Sequence, residues 1–239
     1  KMGKVFVTII APGKASFYPE YIPDSMKTVY NSRTNYTAFR DEAMRQGVNL
    51  IDFSTYFRSL KNKTPYCLYP KNGVHWSKYA IQLAADSMIK YIEKRSGVRM
   101  AHYRWKDVKV EKEKEEDYDI ARGMNLLFKL SGPDMGYPET ETDTTGVSSK
   151  LSSAIIADSF YWGIYNIGFS YLFSSSQFWF YNHEVYPDYN TSQLLGDQVP
   201  IADVIRDRDV IILLATEPNI HSIGWGFIDR VYEEVTRNN

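Results

Sequence analysis

A single cysteine, Cys67, stands among 239 residues, which excludes an intramolecular disulfide and any cysteine-built metal centre. Its plain role is that of a small buried hydrophobe. No run of about 18 apolar residues occurs, so no segment reads as a membrane-spanning helix. Charge of either sign is not in excess, with 28 Lys and Arg against 29 Asp and Glu. Such a balance creates no global field that would draw the chain to nucleic acid. A glycine-rich phosphate loop is also missing, because Gly224-Trp-Gly226 lacks a third glycine and a preceding strand. That lack weighs against a flavodoxin-like nucleotide-binding domain. His102, His183 and His221 show no metal-ligand spacing, so surface or structural roles are expected of them rather than metal ligation.

Aromatic residues, by contrast, are plentiful at 15% of the chain. Trp179, Tyr181 and Trp225 could offer a stacking surface for sugar rings, although core packing is the more ordinary use of such side chains.

Buried strands are the clearest local signal. Val5 to Ala11 is a continuous β-rich apolar run closed by Pro12-Gly13, and Ala154 to Ala157 and Asp209 to Ala215 are two more. Val48 to Asp52 reads as a further short strand. Helical periodicity covers Asn35 to Gln46, ending at Gly47, and Ser77 to Lys94, with Ser77 as cap and Gly97 just beyond. Tyr161 to Phe173 and Ile223 to Thr236 read as further helical segments. Apolar strands alternating with helices imply an α/β fold whose mostly parallel central sheet is covered on both faces. From Lys106 to Arg122 the chain is heavily charged, and from Gly132 to Lys150 it is rich in Gly, Pro, Thr and Ser. Both stretches read as solvated surface and loop. Neither half of the chain holds a full set of strands, so residues 1–239 read as one domain with an insertion-like region over about 106–150. The chain opens Lys1-Met-Gly-Lys4 and enters a strand at once, an abrupt start that suggests an absent upstream signal peptide or anchor.

Ligands of open parallel sheets bind beyond the carboxyl ends of the strands. Lys14, Asp52, Asp158-Ser159 and Glu217 all follow strand-like runs. Ser159 lies at a strand-to-helix turn, where backbone N–H groups could stabilise an oxyanion. A serine nucleophile needs a base, and His75 in Pro70-Lys-Asn-Gly-Val-His75-Trp76-Ser77 is a candidate.

Together these segments resemble a family. Val5 to Pro23 looks like the strand and loop that opens the catalytic domain of alginate O-acetyltransferases, which have SGNH-hydrolase-type folds. His75-Trp76-Ser77 resembles the end of that family's Asp-x-His-Trp motif, and Ala157-Asp158-Ser159-Phe160 its Gly-Asp-Ser-Phe block. The order, His before Ser, also matches.

The resemblance implies a three-layer SGNH-hydrolase-like sandwich. It implies a Ser-His O-acyltransferase or acetylesterase acting on a cell-surface or secreted polysaccharide, in the periplasm or otherwise outside the cytoplasm. A membrane-bound partner would supply the acetyl donor, and no cofactor is expected. Ser159 would be the nucleophile and His75 the general base. Trp76 and Lys14 are the candidate substrate-binding residues. Two positions depart from the pattern: Ala157 replaces glycine, and Gly73 stands where the family has its aspartate. The site would then be a weak Ser159-His75 dyad, or it would borrow a carboxylate, with Glu217 and Asp52 the candidates and Asp158 a third supporting residue. The alternative is a catalytically impaired SGNH-like protein with a glycan-binding or assembly role.

Overall fold

The computed structural model describes residues 3–27, 32–187 and 194–237. Lys1 and Met2, on which the expectation of an upstream segment rests, lie outside them. The first half runs β1 (Val5–Ala11), α1 (Lys14–Phe17), α2 (Asn35–Arg45), β2 (Leu50–Asp52), α3 (Phe53–Leu60) and α4 (Lys78–Ser96). Next come β3 (His102–Lys112), α5 (Asp119–Gly123) and β4 (Asp134–Asp143). The remainder is β5 (Ser152–Ala157), α6 (Tyr161–Asn166), β6 (Ser175–Phe180), β7 (Glu184–Pro187), β8 (Leu194–Leu195), α7 (Ile201–Asp207), β9 (Val210–Thr216) and α8 (Phe227–Arg237).

The main sheet has the order β2-β1-β9-β5-β6-β7-β8. Its first five strands pair in parallel, and the β6-β7 and β7-β8 pairings are antiparallel. Every residue of β5 and β9 is buried, as their unbroken apolar runs require of central strands covered on both sides. Alternate side chains serve opposite layers. Val7, Ile9, Ile155, Ile212 and Leu214 pack with Phe53, Phe57 and the apolar stripe of α4. Ala154, Ile156, Ile211 and Leu213 pack with Val204 of α7 and Phe227 of α8, and Ile10 and Ala215 with Tyr36 of α2. The result is the expected α/β sandwich of three layers. Trp179 is fully buried against Phe227, so it serves the core and not an exposed sugar platform.

Helix α4 begins and ends as its sequence predicts. Ser77 Oγ accepts the Ala80 N–H at 3.1 Å, and Gly97 closes the helix at φ 72°, a conformation cheap only for glycine.

The region from 106 to 150 departs from expectation. Its composition predicts solvated loop, yet β3 and β4 pair antiparallel as a two-stranded ribbon with a bulge between Trp105 and Asp107. Its exposed face carries cross-strand ion pairs, among them Arg104–Glu141 and Lys109–Glu139. Tyr103, Met135 and Tyr137 are nonetheless buried, and Trp105 Nε1 donates to Asp86 of α4 at 2.7 Å. Composition therefore reports the exposure of the ribbon correctly and its conformation wrongly, since a surface ribbon may be charged on one face and still pair its backbone.

Candidate functional site

Parallel strands deliver their following loops to one edge of the sheet. Ser159 is two residues past the end of β5 and lies in the turn that opens α6, where Trp162 N donates to Ser159 O at 3.2 Å. The preceding Asp158 fixes that turn. Its carboxylate is fully buried and accepts from Phe160 N (3.1 Å), Thr216 N (2.7 Å), Thr216 Oγ1 (2.8 Å) and Asn219 Nδ2 (3.0 Å). A buried carboxylate left without such donors would cost several kcal/mol, on the order of the penalty for an unpaired charge. Asp158 thus ties the Ser159 turn to the neighbouring strand β9 and makes no bond to His75.

The loop before α4 carries His75. Lys14 Nζ donates to three carbonyl oxygens of this loop, those of Pro70 (3.0 Å), Lys71 (2.7 Å) and Gly73. An ammonium has three protons, so all of them are spent within the protein. Burial lowers the pKa of this group, while Asp119 and Glu113 act in the opposite sense. From the other side, the buried Glu113 accepts Lys71 N at 3.1 Å and Asn72 Nδ2 at 2.6 Å. Trp76 is buried, and its Nε1 donates to Phe160 O at 3.1 Å. It bridges the histidine loop to the serine loop. Lys14 and Trp76, singled out from sequence as substrate-binding, are both engaged inside the protein.

These supports bring three side chains into line. His75 Nε2 lies 3.0 Å from Ser159 Oγ, and His75 Nδ1 lies 2.6 Å from Asp119 Oδ2. Asp119 opens α5, and its other oxygen accepts from Val74 N (2.7 Å) and Ile120 N (2.8 Å). Burial pushes the Asp119 carboxyl up. The bonds from His75, Val74 and Ile120 outweigh that penalty and hold it below the ordinary aspartate value.

Gly73 now has a physical explanation. A Cβ at this position would meet the Asp117 carbonyl oxygen at 2.8 Å and Pro70 Cγ at 3.0 Å. The segment that presents Asp119 is packed directly against Gly73, so the side-chain space there is already filled.

The carboxylate beside His75 is therefore neither of the two expected from sequence. Asp52 caps α3, accepting Thr55 N at 3.0 Å, and also accepts from Tyr36 OH at 2.9 Å. Glu217 accepts from Ser16 and Ser54 hydroxyls. Burial raises its carboxyl, and those two bonds act against the shift. Both residues end at the same sheet edge as Ser159, but their oxygens are spent on neighbours in α1, α2 and α3. Asp119 escaped the sequence reading because it lies 44 residues after His75 in a run of acids that reads as solvated. The alternation Tyr103, Trp105, Val108, Val110 was the available sign of a strand leading to it.

Beside the triad is a cavity of about 320 Å³, lined by His75, Ser159, Asp119, Arg122, Trp162 and Asn166 among others. That is the lower end of the range for small-molecule sites. The His75 ring packs on Phe160 at 4.9 Å between centroids.

Comparison with known proteins extends this geometry. No curated protein matches the sequence. Among solved structures, the O-acetyltransferase domain of Pseudomonas putida AlgJ is 16% identical, with a TM-score of 0.56 over 98% of this chain and 84% of that one. Bacillus cereus PatB1 is 10% identical, with a TM-score of 0.56 over 91% and 84%. A DHHW family protein from Eubacterium siraeum is 12% identical, with a TM-score of 0.52 over 95% and 82%. At such identities the likeness is one of fold. The sequence itself carries the assignment: the family model described as SGNH hydrolase-like domain, acetyltransferase AlgX, matches residues 1–180, and the chain belongs to that family.

Proposed function

We propose that the chain is a serine-dependent O-acetyltransferase that moves an acetyl group to a hydroxyl of a polysaccharide outside the cytoplasm. The observation that carries this reading is the continuous Asp119–His75–Ser159 relay, at 2.6 Å and 3.0 Å. Asp119 holds the imidazole with its proton on Nδ1, which leaves Nε2 to accept the Ser159 proton. Ser159 Oγ then attacks the carbonyl carbon of the acetyl donor as His75 takes the proton. The oxyanion forms near the backbone N–H of Ser159. Collapse of this intermediate expels the donor oxygen, which takes the proton from His75, and leaves acetyl-Ser159. In the second half, His75 deprotonates an acceptor hydroxyl, which attacks the acyl-enzyme and regenerates Ser159. With water in place of the sugar the same site is an esterase.

Membership of the acetyltransferase family supports the acetyl group as cargo, and the O-acetyltransferase domain of AlgJ supports transfer over hydrolysis by analogy. The donor would come from a membrane-bound partner. The alternative, an impaired relative with only a binding role, rests on Gly73 and on the abundance of tyrosine and tryptophan; the Asp119 carboxylate beside His75 weighs against the first of these grounds.

The test is turnover of a chromogenic acetyl ester together with intact-mass analysis. Acetyl-Ser159 should accumulate in the parent, and both adduct and turnover should vanish in Ser159→Ala and fall sharply in His75→Ala. Undiminished turnover by Ser159→Ala would sink the proposal. Adding polysaccharide should shorten the life of the adduct by transferring its acetyl group.

A further inference from the structure

Within α5 and the loop that follows it, residues 120–133 expose five large apolar side chains: Ile120, Met124, Leu126, Leu127 and Phe128. Leu127 is wholly exposed and Phe128 is 69% exposed. Single exposed hydrophobics are ordinary on a protein surface, but a cluster within one loop marks a contact site. The same stretch contains Arg122 and Lys129 and no carboxylate, against a chain whose net charge is -1. Arg122 does reach Glu115 at 3.3 Å, and Lys129 lies over the Tyr118 ring at 5.1 Å. Both remain exposed, where such contacts hold a side chain only weakly.

We propose that this loop seats the protein on an anionic lipid surface, with Leu127 and Phe128 entering the headgroup and acyl boundary and Lys129 and Arg122 meeting lipid phosphates. An apolar tip with flanking cations matches the two forces of interfacial binding, area burial and attraction to anionic headgroups, and long cationic side chains can extend back to the phosphate level. No helix among the described residues is long and apolar enough to cross a membrane. A second copy of the chain fits less well. A stable dimer buries about 800 Å² on each partner, and twofold pairing of this loop would bring its cations against their own copies. The proposal does not depend on acyl transfer, because vesicle binding needs no turnover.

The experiment is co-sedimentation with vesicles of phosphatidylcholine alone or mixed equally with phosphatidylglycerol. The intact chain should bind the mixed vesicles, more weakly as salt rises. Leu127→Ser with Phe128→Ser should weaken binding about tenfold or more, given the area withdrawn from lipid. Both side chains are exposed, so the fold should survive, and circular dichroism checks that it does. Phe128→Trp should show a blue-shifted emission on the mixed vesicles. Failure of the intact chain to bind would overturn the proposal, as would binding that the double variant leaves unchanged. Concentration-dependent self-association lost in the double variant, without vesicle binding, would assign the loop to a second copy instead.

Discussion

Of the four carboxylates at the catalytic edge of the sheet, Asp52 caps α3, and the surroundings of the other three separate them by task. Asp158 is saturated with four donors and can only hold a turn. Glu217 is buried between two hydroxyls. Asp119 alone bonds the imidazole. Exchanging Asp119 for Asn keeps its size but favours the wrong imidazole tautomer, a change that costs roughly 10⁴-fold in kcat in a serine-protease triad. Asp119→Asn should therefore lose most of the chromogenic-ester turnover, while Asp52→Asn retains it. Turnover within a few-fold of the parent would show that the Asp119 contact has no catalytic weight. Glu217 makes a different prediction. Its folded carboxyl holds a proton more tightly than the unfolded one, so the folded state binds more protons. Stability conferred at this position must then fall as pH rises from the ordinary value of 4.5 towards the raised folded value. Urea denaturation of the parent and Glu217→Gln from about pH 4 to about pH 8 should give curves that diverge across that window and run parallel above it. Curves parallel throughout would mean the carboxyl is not raised.

Between elements, the decisive contact is that of the segment entering α5 against the loop before α4. Gly73 permits the Asp117 backbone to approach, Glu113 accepts three donors of the loop, and Ala121 N donates to Asn72 O at 3.1 Å. Gly73→Ala puts a methyl group where only about 2.8 Å is available. Overpacking of this kind costs about 1–3 kcal/mol, and relief requires Asp119 to move. Loss of turnover should accordingly exceed what the drop in thermal stability explains; an active, fully stable Gly73→Ala protein would contradict the packing argument. The same elements mark the limit of what sequence makes legible. Strands β1, β5 and β9 are readable because burial on both faces demands continuous apolar runs. Ser159 stands out through a short motif at the end of β5, and His75 through one in the loop before α4. Strands β3 and β4 hide because their outward face is charged and their inward residues are too sparse to make a run. Asp119 hides for a deeper reason, since no local rule links a carboxylate to a histidine 44 positions earlier; only the packing of the ribbon on α4 brings them together.

At the scale of the whole molecule, the ribbon and the main sheet share contacts that separate domains rarely have. Tyr103 belongs to the same core cluster as Val7, Ile89 and Leu214, and Glu113 is buried against the histidine loop. We therefore propose that the chain is one cooperative unit, although at 239 residues it is longer than most two-state folders. Tryptophan fluorescence and far-UV circular dichroism should then trace superimposable urea transitions, with ester turnover lost over the same range. Glu113→Ala gives the sharper test. It strips an acceptor from Lys71 and Asn72 and leaves buried donors unsatisfied, at about 1–3 kcal/mol each. In a single unit that loss must shift both optical transitions to lower urea together. If only one probe moves, or if the parent already unfolds in two steps, the ribbon is a separate folding unit. Asp119 would then reach His75 only when that unit is docked, and activity should disappear before the main sheet melts.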